Sequence, residues 1–84
     1  MSRHSNRDGF LIRWALEEFD RETLPTVDGN VDVYLLPLAD RNRIREALGK
    51  LFAQYGLRED SEPNKLGLII DDLIGALGPS GRTD

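Results

Sequence analysis

Arg41, Arg43 and Arg45 are the residues whose type and spacing come closest to chemistry. They fall in the first turns of an expected helix, where unpaired backbone N–H groups already present positive charge. Exposed cations there are unfavourable by about 0.3–1 kcal/mol each. Three guanidinium groups beside free N–H groups make a natural site for an anion, whether phosphate or the carboxylates of an acidic partner. The plainer reading closes the charges inside the protein, with Asp40, Glu46 and the acidic first helix as counter-ions. Ion networks of that kind are common on protein surfaces, so the plainer reading carries the greater weight.

Other reactive side chains are poorly placed for catalysis. His4 is the only histidine and stands in a polar leader with nothing nearby to orient it. Asp71 and Asp72 are adjacent, as are Glu17 and Glu18, so each pair diverges by about 100° on a helix. An acid–base pair needs two carboxyl groups facing one substrate. Asp28-Gly29-Asn30-Val31-Asp32 has the flavour of a calcium loop, yet the long ligand spacing closed by a glutamate is missing, and a plain turn fits better. There is no cysteine, which removes disulfides, thiolate chemistry and zinc–thiolate sites. The expectation is a protein without catalytic residues, metal or cofactor.

The elements that must carry the arginines follow from apolar spacing. Ile44, Ala47, Leu48, Leu51, Phe52 and Tyr55 recur at steps of three and four, which predicts a helix from Asp40 to about Tyr55. Asp40 suits its N-cap and Gly56 a left-handed C-terminal stop. Leu66, Ile69, Ile70, Leu73, Ile74 and Leu77 repeat the period and predict a second helix from about Pro63 to Leu77. Ser61 or Asn64 would cap its start, and Gly78-Pro79 would end it. Gly67 and Gly75 are poor helix formers, which points to another segment approaching the backbone closely. Leu68 lies off the main stripe and is a candidate interface residue.

Upstream, Ile12, Ala15, Leu16 and Phe19, widened by Phe10, Leu11 and Trp14, predict a helix from near Asp8 to Arg21. Thr23 to Leu36 reads as extended chain, rich in β-formers around Val31–Leu35. Asp28-Gly29 suits a two-residue hairpin turn that would pair Thr26 with Val31 and Leu24 with Val33. Leu24, Thr26, Val31, Val33 and Leu35 would then share the inner face, and Tyr34 would point outward as a second candidate contact. Trp14, Phe19, Phe52 and Tyr55 follow the apolar periods and are expected in the core.

Size and composition bound the rest. Eighty-four residues make a single small domain, with residues 1–7 and 78–84 as flexible tails. A core this small often leans on a second copy. The 39% hydrophobic and 31% charged content marks a globular chain, with no apolar run long enough for a signal peptide or membrane span. A cytoplasmic protein is the expectation. Net charge is −4, but residues 40–58 carry +3 between acidic flanks. Overall repulsion argues against general affinity for nucleic acid.

The order strand, helix, helix from Val31 to Leu77 resembles ribbon-helix-helix repressors. The resemblance implies a dimer paired through its strands and a DNA-binding transcriptional regulator. It covers about half the chain and rests on element order alone. Asp60-Ser61 ahead of an apolar helix is similar to the phosphopantetheine site of acyl carrier proteins. However, Glu62-Pro63 stands where that family has an apolar residue, and Ser61 as an N-cap accounts for the position.

The expected fold is thus mostly α, or α+β: a helix, a short hairpin or single strand, then a helix-turn-helix pair. The leading functional expectation is a non-enzymatic protein–protein interaction or regulatory module that self-associates, as a homodimer, and meets an acidic partner at the arginines. A ribbon-helix-helix-like regulator comes second, and a small enzyme clamping an anionic ligand third.

Overall fold

The computed structural model describes residues 6–27 and 32–78. Three helices dominate: α1 (Asn6–Phe19), α2 (Leu38–Tyr55) and α3 (Lys65–Leu77). Helix α2 is central, with α1 and α3 both packed on it. The core comprises Leu11, Ile12, Ala15 and Leu16 from α1, Ile44, Ala47, Leu48 and Leu51 from α2, and Ile70, Leu73 and Leu77 from α3, with Val27 at its edge. These are the periodic positions of each helix, so burying one stripe per helix closes a single core.

Helices α2 and α3 run antiparallel. Gly56 meets Gly67 at one end of the pair. Arg45 reaches Ile74 and Arg41 reaches Gly78 at the other. The turn between them closes tightly. An antiparallel bridge joins Leu57 and Pro63, and the Arg58 N–H donates to the Glu62 carbonyl at 2.7 Å. Ser61 turns the corner at φ 70°. It therefore does not cap α3; Asn64 does, its Oδ1 accepting from the Gly67 N–H at 2.7 Å. The Asn64 Nδ2 donates back to the Tyr55 carbonyl at 3.0 Å, so one side chain ties the end of α2 to the start of α3.

Three further expectations need correction. No strand occurs among the described residues. Leu24–Val27 and Val33–Leu35 are short 3₁₀ turns. The cause is local hydrogen bonding, which offers the backbone an alternative to a β-ladder. Thr23 Oγ1 donates to Asp20 Oδ2 at 2.8 Å, and Thr23, Leu24 and Thr26 N–H groups each donate to the carbonyl three residues back. Asp32 Oδ1 likewise accepts from the Tyr34 N–H. Leu35, expected on an inner face, is 80% exposed. The Asp28-Gly29 turn lies outside the described residues.

Second, α2 begins at Leu38 after Pro37, so Asp40 sits inside the first turn and is not the N-cap. Third, Gly56 ends α2 at φ −96°, not in the left-handed region. Its value is a missing side chain, because a β-carbon there would lie 2.8 Å from the Phe52 carbonyl oxygen and 2.9 Å from the Gly67 Cα.

Candidate functional site

Successive residues on a helix are offset by about 100°, so Arg41 and Arg45 share a face while Arg43 points to nearly the opposite side. The contacts follow that geometry. Arg43 reaches across to the end of α1, its Nε and Nη2 donating to the two carboxylate oxygens of Asp20 at 3.2 and 3.3 Å. Glu22 lies 3.6 Å from Arg43 Nη2. Partial burial pushes the Asp20 carboxyl up. Hydrogen bonds from Thr23 and Arg43, with the charge of Arg43, outweigh this and hold it below its ordinary value. The same hydrogen bond, donated to Asp20, pushes the Arg43 guanidinium up.

Arg41 and Arg45 turn towards the end of α3. Arg41 Nε donates to the Leu36 carbonyl at 3.1 Å and Nη1 to the Gly78 carbonyl at 3.3 Å. Arg45 Nε donates to the Ile74 carbonyl and Nη1 to Asn42 Oδ1, both at 3.3 Å. The last carbonyls of a helix lack intrahelical partners and carry partial negative charge. Two guanidinium groups meet them here, and this relieves the unfavourable placement of cations at the start of α2. Among the described residues, only Arg43 of the three pairs with carboxylates. The three side chains are thus divided between two neighbouring helix ends.

Tyr34 is half-buried and shares a hydrogen bond with Asp8. Burial, the charges of Asp8, Asp32 and Asp72, and that hydrogen bond all push its phenol up. No group of three or more metal-ligating side chains occurs among the described residues. None of the described helices is long and apolar enough to cross a membrane. His4 lies outside the described residues.

An aromatic surface on α1 escaped the sequence reading. Phe10 is 64% exposed and its ring lies 6.2 Å from that of Trp14, which in turn lies 5.0 Å from Tyr55. Tyr55, expected inside, is 38% exposed, and its hydroxyl donates to Glu18 at 3.1 Å. Phe10, Arg13, Trp14 and Glu17 line an open groove of about 350 Å³ beside this ladder. The signal was present in the spacing. Phe10 and Trp14 stand four apart, on the edge of the apolar stripe that Leu11, Ala15 and Leu16 carry into the core. Leu68, the other apolar residue singled out from sequence, is 59% exposed on the outer side of α3.

The chain matches no protein-family model, no characterised protein and no solved structure.

Proposed function

We propose that this protein is a non-enzymatic interaction module that binds another protein and also a second copy of itself. The observation that carries the reading is Phe10, a large aromatic side chain left mostly in water over a Trp14–Tyr55 pair. Rigid aromatic groups with an arginine at the edge are the residue types that concentrate binding energy in protein interfaces. Arg13 and Glu17 flank the groove with opposite charges, which suits a partner presenting an apolar side chain between polar neighbours. The exposed Leu35 and Leu68 add apolar surface away from this groove, on elements that a single partner on α1 does not cover.

The arginines take a supporting part in this proposal. Arg43 is half exposed beside Asp20 and Glu22, so an acidic partner competes there with the protein's own carboxylates. Arg41 and Arg45 bring two guanidinium groups to the end of α3 with no carboxylate partner among the described residues, and these draw acidic surfaces to that tip.

The test is affinity capture with Phe10→Ser and with Arg41→Gln, Arg43→Gln and Arg45→Gln, each variant first shown to be folded by a cooperative urea transition of its own. Loss of a captured protein with Phe10→Ser, and retention with the arginine variants at moderate salt, supports the aromatic face. Capture that ignores Phe10 but fails with the arginine variants places recognition on the basic tip instead. A ribbon-helix-helix reading has no supporting observation, because Val33–Leu35 is a 3₁₀ turn.

A further inference from the structure

The outer side of α3 carries Lys65, Leu68, Asp71, Asp72 and Gly75, all exposed. Helical spacing places Lys65, Leu68 and Asp72 along one stripe, with Leu68 between the charges and about 10 Å separating the two ends. Among the described residues, neither Lys65 nor Asp72 belongs to an ion pair. A stripe ordered as cation, apolar residue, anion is self-complementary when a copy is laid against it in the opposite direction. We propose that the second copy invoked above docks here, with two α3 helices antiparallel about a two-fold axis between Leu68 and Ile69. This assignment rests on the self-association part of the preceding reading.

Charge selects that register. With the axis between positions 68 and 69, Lys65 of each protomer faces Asp72 of the partner subunit, and the two Leu68 side chains meet at the centre. A two-fold contact repeats each such pair, so both ends of the interface are closed by opposite charges. Moving the axis one turn towards the C-terminus would seat Leu68 over the open space beside Gly75, where nothing lies within 4 Å of an added β-carbon. That arrangement brings Asp71 and Asp72 of both copies together at the axis, and four carboxylates there repel. Like charges across an interface act as exclusion of the wrong pairing.

Roughly three turns of one helix bury less than a standard stable interface, so the dimer is weak, with a dissociation constant on the order of 0.1 mM. Association is therefore expected at high protein concentration and is reduced by salt, since both ion pairs are at the rim.

Sedimentation equilibrium over a concentration series tests this with the full chain. Wild type should dimerise. Lys65→Glu and Asp72→Lys should each weaken association by at least about tenfold, because each creates two like-charge contacts. The double variant K65E/D72K should recover it, since the reversed charges again oppose each other across the axis. Leu68→Asp should abolish it. All these positions are exposed, and a urea midpoint for each variant checks that the monomer is intact. A wild-type chain that stays monomeric at millimolar concentration overturns the self-association reading as a whole. A dimer indifferent to the α3 changes but lost with Phe10→Ser overturns the α3 assignment alone. So does a double variant that fails to recover.

Discussion

Gly56 and Gly67 touch through their backbones, the first closing α2 and the second lying in the opening turn of α3. A β-carbon on Gly56 would approach the Gly67 Cα at 2.9 Å, and one on Gly67 would strike the Gly56 carbonyl. The absent side chains set how closely the α2–α3 pair can close at this end. Gly67→Ala is therefore expected to destabilise by at least about 2 kcal/mol, since rigid backbone has to move. Gly75→Ala meets open space and should stabilise by up to about 1 kcal/mol through helix propensity. Urea unfolding of both variants checks the contrast, and equal midpoints would remove the glycine contact from the explanation.

Asn64 does two separable jobs, accepting from the Gly67 N–H and donating to the Tyr55 carbonyl. Asn64→Ala loses both and should cost about 1–2 kcal/mol. Asn64→Asp keeps the acceptor, adds a favourable charge at a helix N-terminus, and loses only the donor. Its loss should be visibly smaller than that of alanine. A matching loss for the two variants would mean that the cap contributes nothing measurable.

Acid should weaken the protein partly through Asp20. Its carboxyl is held below the ordinary 3.8 in the folded state, so the folded protein binds fewer protons than the unfolded chain in that range. The linked stability is present above 3.8 and is lost as the pH falls through the lower folded-state value. Asp20→Asn removes this contribution, so its deficit against wild type should be largest at about pH 7 and shrink towards about pH 2. Denaturation curves at both pH values report it; a deficit that does not narrow would contradict the assignment.

Arg41 and Arg45 hold the last carbonyls of α3. Arg41→Ala and Arg45→Ala should each loosen that turn, with a loss of about 0.5–1 kcal/mol for these partly exposed bonds. Amide hydrogen exchange at Leu77 and Gly78 should accelerate in both and stay unchanged in Arg43→Ala, whose contacts are at the other helix end. Uniform behaviour of the three variants would argue that they act only as a block of charge.

Much of the fold is legible in the sequence. The steps of three and four through Ile44, Leu48 and Leu51, and through Ile70, Leu73 and Leu77, mark the residues that are now buried. Asn64 was one of two named caps, and Gly67 does admit close backbone approach, although Gly75 does not. The stretch from Thr23 to Leu36 reads as extended from its β-formers, but the Asp20–Thr23 and Asp32–Tyr34 hydrogen bonds hold Leu24–Val27 and Val33–Leu35 in 3₁₀ turns. The candidate site was only half legible. The roughly 200° between Arg41 and Arg43 follows from spacing alone, but Gly78 and Asp20, which they reach, are far away along the chain.

The sequence by itself determined three amphipathic helices, because a helix buries a stripe whose period is written locally in the order of apolar residues. Tertiary structure decided where the charges went and which aromatic rings stayed in water. Those outcomes depend on how the helices cross, on a glycine pair that sets their approach, and on acceptors more than twenty residues distant from each arginine.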